Sequence, residues 1–164
     1  SGPNRVDVAK AGALAGGMEI AIACDLLVAN DKAQFGIPEV KRSLVAAAGG
    51  LLTLPSIIGK RMAMELALTS EFISAQRAYE IGFVNRVTDG AAIDAALELA
   101  AKVAANGPLA LIATKRVINE RPDWNSTEMW KRQNEICAPV FTSKDSREGA
   151  MAFAEKRKPN WLGE

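Results

Sequence analysis

Along the chain, apolar and polar positions follow two different patterns. Up to about residue 60 the apolar runs are short, nearly continuous and cut by glycine and proline; beyond it they recur at helical spacing. Glycines at 12, 16 and 17 mark a bend where backbone must come close to something. Met18–Cys24 then predicts a short, almost wholly apolar helix buried on most sides. Leu26–Ala29, bounded by Asn30 and Asp31, predicts a buried strand. Gln34–Glu39 reads as a loop or short strand punctuated by Gly36 and Pro38. Ala46–Leu54 reads as a small-residue helix start with Gly49 and Gly50 in its middle.

From Gly59 onward the pattern predicts helices. Arg61–Leu68 is apolar at 62, 63, 66 and 67. Ser74 is placed to cap a helix through Tyr79 to Ile81, ended by Gly82, and Phe83–Val87 is a short extended piece. Ala91–Ala105 is alanine-rich and stops at Asn106, Gly107 and Pro108; Leu109–Asn119 comes next and Pro122 breaks it. Asn125, with Glu128 three residues on, resembles a capping box for a helix toward Cys137. Thr142 or Ser143 opens the last helix, which ends near Lys156. An α/β chain is predicted, strand-like and glycine-rich first and helical afterwards, and its closing polar helices are expected to pack on partner subunits.

Composition narrows the chemistry. The chain has 164 residues, 49% hydrophobic and 24% charged, enough to bury a core. Lysine and arginine number 20 against 19 acids, a net charge of +1, so no nucleic-acid partner is expected. Histidine is absent, which excludes Ser-His-Asp and Cys-His nucleophile systems and the commonest metal sites; no metal is expected. Cys24 and Cys137 form no CxxC and suit core packing in a reducing compartment. The longest apolar candidate, Met18–Val28, is interrupted by Glu19 and Asp25 and falls short of the roughly 18–20 residues of a membrane span, so no membrane partner is expected. The opening residues lack the order of a secretory signal, and 1–10 read as a cut end or remnant. Alanine richness and no visible targeting segment fit a bacterial cytoplasm, with an organelle open if an upstream section carried a signal.

The chemistry-bearing residues lie early. A glycine pair at a helix start leaves N–H groups aimed along the axis with no side chain to block a ligand. Gly16 and Gly17 are such a pair, Glu19 sits in the first turn behind them, and Glu39 follows Pro38 twenty residues on. Two carboxylates beside oxyanion donors can handle a water and a carbon-bound proton. Spacing alone leaves the alternatives open, because first-turn glutamates also cap helices and glycine pairs also serve tight packing. The run Lys156, Arg157, Lys158 reads first as cations complementing a helix end, and second as a phosphate contact. Trp124, Trp130 and Trp161 read as packing or subunit-contact residues.

Ordered motifs then add a resemblance. Ala13–Asp25 (ALAGGMEIAIACD), Ala33–Glu39 (AQFGIPE), Ala48–Gly50, Gly59–Thr69 (GKRMAMELALT), Ile73–Val87 (ISAQRAYEIGFVNRV) and Asp145–Lys158 together resemble the crotonase (enoyl-CoA hydratase/isomerase) superfamily, from about residue 10 to the end. The resemblance implies a crotonase (ClpP-like) ββα spiral, truncated on its N-terminal side, followed by C-terminal trimerisation helices. It places the end of the spiral core, with both glutamates, at 11–90 and the helical trimerisation region at 91–164. It further implies a homotrimer or dimer of trimers. Gly16 matches the family position whose N–H forms half of the thioester oxyanion hole, and Glu19 and Glu39 match the two hydratase glutamates. Ala13, Leu14, Ala15, Gly16 and Pro38 are the implied substrate-binding residues. The implied reaction is addition of water to an α,β-unsaturated acyl-CoA thioester, giving 3-hydroxyacyl-CoA. No separate cofactor is implied, since CoA is part of the substrate.

Two departures qualify that expectation. The family's Gly-x-x-Pro-x-x-Gly-Gly segment stands here as Ser43–Gly50, with Ser43 for glycine and Ala46 for proline, and Leu51 and Leu52 replace common polar residues. The family's upstream Ala-x-Gly-x-Asp-like section, source of the other oxyanion donor, has no match before Ala11, so a fragment is expected. The alternative readings are an enoyl-CoA isomerase or other enolate-stabilising enzyme, and a non-catalytic truncated oligomerisation scaffold.

Overall fold

The computed structural model describes residues 8–11, 13, 14 and 16–164, the first six by their backbone alone. In chain order the elements are β1 (Val8–Ala11), β2 (Ala13–Leu14), α1 (Gly16–Ile22), β3 (Leu26–Asn30), β4 (Gln34–Gly36), α2 (Gly50–Ile58), α3 (Lys60–Thr69), β5 (Ile73–Ser74), α4 (Ala75–Glu80), β6 (Arg86–Thr88), α5 (Ala92–Ala104), α6 (Pro108–Glu120), α7 (Met129–Phe141) and α8 (Lys144–Ala154). Short 3-10 turns occupy Glu39–Arg42 and Arg121–Asp123. The chain divides into two compact units, one reaching to Ala100 and one comprising Ala101–Glu164.

The first unit is built on two small sheets. One is wholly parallel, in the order β1-β3-β6. Its central strand is buried at Leu27, Val28 and Ala29, as a parallel strand covered on both faces should be. The other sheet runs β2-β4-β5, with β2 and β4 parallel and β5 antiparallel. Met18, Phe35 and Leu54 are fully enclosed among the elements of this unit, and the Phe35 and Phe83 rings meet edge to face at 5.4 Å. The Leu26–Ala29 run is therefore core, whereas α1 buries Met18, Ala21 and Ile22 on one face and leaves Ile20 72% exposed, so the helix expected to be buried on most sides is enclosed on one side alone.

Several boundaries differ from the sequence expectation, each for a local reason. α1 begins at Gly16, two residues before the apolar run, because small residues without special dihedrals continue the first turn backward. α2 begins at Gly50 instead of extending back to Ala46: Gly49 sits at φ +106°, outside the right-handed helix, and so stands before its start. Phe83 and Val84 turn into the core before β6 begins at Arg86. Between them and β6, Asn85 bonds β3 twice: its side chain accepts from the Leu27 N–H at 2.7 Å and its own N–H donates to the Leu27 carbonyl at 2.9 Å.

The second unit is helical. Ser143 caps α8 by accepting the Ser146 N–H at 3.0 Å, and Asn125 accepts from the Thr127 and Glu128 amides ahead of α7. Glu128 pairs with Arg132 at 3.4 Å instead of completing a capping box. Beyond α8 the tail folds back on that helix. Buried Asp145 accepts the Leu162 and Gly163 N–H groups at 2.7 and 3.0 Å. Glu148 accepts from both terminal guanidinium nitrogens of Arg157, at 2.6 and 2.9 Å, and from the Asn160 N–H at 2.7 Å. Trp161 lies over Gly149 and donates its indole N–H to the Ala105 carbonyl at 2.9 Å. Among the described residues no single helix is long and apolar enough to cross a membrane.

Candidate active site

The site grows from the parallel pair β2 and β4, where Leu14 stands opposite Gly36. Parallel strands leave a sheet in the same direction, so the chain continuing from each of them emerges at one edge. Two residues past Leu14 it enters α1 at Gly16; three residues past Gly36 it reaches Glu39. The topology thus brings the start of α1 and the Glu39 turn to the same edge, although twenty-odd residues separate them in sequence.

At Gly16 a Cβ would meet no described atom within 4 Å, and the backbone is not left-handed. Neither packing nor strain asks for glycine there. The exposed amide belongs to a first helical turn, where N–H groups lack intrahelical acceptors. Of the other expected substrate-binding positions, Ala13 and Leu14 form β2, Ala15 lies outside the described residues, and Pro38 is buried directly before Glu39.

Glu39 opens the 3-10 turn Glu39–Arg42. This turn is pinned from α3: the Lys41 ammonium donates to the Ser70 carbonyl at 3.1 Å, and the Ser70 hydroxyl donates to the Ile37 carbonyl at 3.2 Å. The Glu39 carbonyl accepts the Leu44 N–H at 3.1 Å, closing the strap. Its side-chain Oε2 is buried and meets no described hydrogen-bond donor. Such an oxygen costs roughly 1–3 kcal/mol relative to a satisfied one, and a fold that keeps it has a use for it. Glu19 is held differently. It projects from the first turn of α1 and its Oε1 accepts the Gly50 N–H, at the start of α2, at 3.0 Å.

Near these residues in sequence stand several outward-facing apolar side chains. Ile20, Leu44, Val45 and Leu52 are all more than half exposed, whereas Ala46 is buried. Ser43, at the family's glycine position, holds φ +54°, so the left-handed backbone persists with a serine bearing it. Among the described residues no cluster of three or more potential metal ligands occurs. The run Lys156, Arg157, Lys158 divides: Arg157 is committed to Glu148 and Glu155. Sequence reasoning missed Gly50 and Ser70. Neither carries a local signal, since each acts on a residue about thirty positions away.

Residues 8–164 match the family model described as enoyl-CoA hydratase/isomerase. The chain is 40% identical over 175 residues to enoyl-CoA hydratase EchA19 of Mycobacterium tuberculosis, covering 98% of this chain and 66% of that protein. It is 34% identical to the 2,3-dehydroadipyl-CoA hydratase of Escherichia coli, over 92% of this chain and 60% of that one. A crystal structure of enoyl-CoA hydratase from Mycobacterium tuberculosis superposes with a TM-score of 0.90 at 56% identity, covering 93% of this chain and 61% of the other. The chain therefore spans about three-fifths to two-thirds of the length of these relatives.

Proposed function

The chain belongs to the enoyl-CoA hydratase/isomerase family of the crotonase superfamily and has its fold, and from that premise we propose that it hydrates an α,β-unsaturated acyl-CoA thioester to 3-hydroxyacyl-CoA. The thioester carbonyl accepts the Gly16 N–H, which draws electron density from the double bond and stabilises the enolate that forms. Glu19 and Glu39 orient a water molecule between them. One carboxylate takes its proton as the oxygen bonds the β-carbon, and a proton returns to the α-carbon through the pair. The sum is one water added, with its hydroxyl on the β-carbon and a hydrogen on the α-carbon.

The observation that carries this reading is the buried Glu39 Oε2 with no described donor, on a turn braced by Lys41 and Ser70. An acid or base in waiting is built in this way: held in place by its backbone and left unpaired at its reacting atom. The alternative is an enoyl-CoA isomerase, in which one of the two glutamates moves a proton and no water is added. The same reading of the family has the second unit packing on further copies of the chain, and it is supported by Ile118, Trp130, Phe141 and Phe153, exposed by 65, 64, 76 and 87%.

Adding a short enoyl-CoA to the protein and monitoring the conjugated-thioester absorbance tests the proposal. Loss of absorbance with formation of 3-hydroxyacyl-CoA is expected. A shifted double bond with no oxygen gained would transfer the assignment to the isomerase.

A further inference from the structure

We propose that Gly50 is a positioning residue for Glu19, an inference that rests on the hydratase reading and deepens it. Two features of Gly50 need an explanation. Its N–H, at the start of a nine-residue helix, donates to Glu19 Oε1 at 3.0 Å across 31 positions of sequence. A Cβ built on it would stand 3.0 Å from Glu19 Cγ and 3.1 Å from Oε1, tighter than ordinary contact, and all three of the nearest atoms belong to Glu19. Its dihedrals do not call for glycine; the left-handed residue at this corner is Gly49, whose Cβ would meet no described atom within 4 Å. What keeps a side chain off position 50 is the carboxylate itself.

Gly49 therefore turns the chain so that the Gly50 amide aims at Glu19, and Gly50 leaves room for the carboxylate to come within hydrogen-bonding range. The bond fixes one oxygen and the plane of the carboxylate, which is the orientation a water-holding group needs. It also joins Glu19 to the segment Ser43–Ala48, which leads directly into α2, so changes in that segment reach the carboxylate through this amide.

A double-mutant cycle with Gly50→Ala and Glu19→Ala tests the assignment, with hydration of a short enoyl-CoA as the readout. Gly50→Ala is expected to lower kcat about 10- to 100-fold with KM within about twofold, because the carboxylate is displaced while binding is not. In the Glu19→Ala background the same change should cost less than about twofold, since its target is gone. Should the alanine variant fail to fold, an ester in place of the Gly50 amide deletes the N–H without adding a methyl, and the same loss of kcat is expected. Equal factors in both backgrounds, a loss carried by KM, or no loss would overturn the positioning role while leaving hydration standing. No hydration by the unsubstituted protein would overturn both.

Discussion

Two pairs of carboxylates, one pair in each unit, are treated in opposite ways. In the second unit, Asp145 and Glu148 have a donor on every oxygen: the Leu162, Gly163 and Asn160 amides and the fork of Arg157. These groups tie the tail to α8. In the first unit, among the described residues, Glu39 keeps a buried oxygen without a donor and Glu19 accepts one backbone N–H. Lys41, two residues from Glu39 in sequence, donates instead to the Ser70 carbonyl. On the hydratase reading the difference has a reason: a carboxylate that holds structure is best saturated, whereas one that is to move protons is best braced through its backbone with a side-chain oxygen left open.

Four substitutions test this contrast. Glu39→Gln keeps the shape but removes the proton exchange, and kcat for hydration is expected to fall by about 10² to 10⁴, read from the thioester absorbance. Retention of the rate within tenfold would remove Glu39 from the chemistry. Gly16→Ala should fold as well as the unsubstituted protein, because its Cβ meets no described atom within 4 Å, yet lower kcat/KM about 10-fold or more by crowding the approach to the amide; melting and kinetics on one preparation separate the two effects. Asp145→Ala should do the reverse. It strands two amides and is expected to cost about 2–3 kcal/mol of stability, seen as a lower thermal midpoint, with the rate of the folded protein unchanged.

The smallest effect concerns pH. Arg157 foremost, and then the Asn160 N–H, hold the Glu148 carboxyl down at about 2 from an ordinary 4.5. An acid lowered on folding contributes stability above its unfolded pKa and loses it as pH falls toward the folded one. The tail clasp should accordingly weaken between about pH 4.5 and 2. Glu148→Gln should flatten that part of the melting profile, and an unchanged profile would show that the clasp carries no pH dependence.

The features legible in the sequence are local. Ser74 and Ser143 announce their helices because a cap bonds an amide three residues away. The run Leu26–Ala29 announces a strand because a parallel strand buried on both faces is apolar throughout. Gly16, Glu19 and Glu39 stand out through the order of several motifs and not through any one spacing. The rest lies in contacts between distant positions. Gly50 reads as a mid-helix glycine until Glu19 is placed against it. Arg157 reads as one cation in a run until the tail turns back on Glu148. Ser43 and Ser70 sit in left-handed backbone that their residue type does not signal.

The central claim, that Glu39 is kept for chemistry at the expense of the fold, is tested most directly by the thermal midpoint of Glu39→Met. Methionine matches the length of the side chain and asks for no donor. A gain of about 0.5–2 kcal/mol in stability, with hydration abolished, is the predicted result. A lower midpoint would contradict it, because the carboxylate would then be holding the turn together.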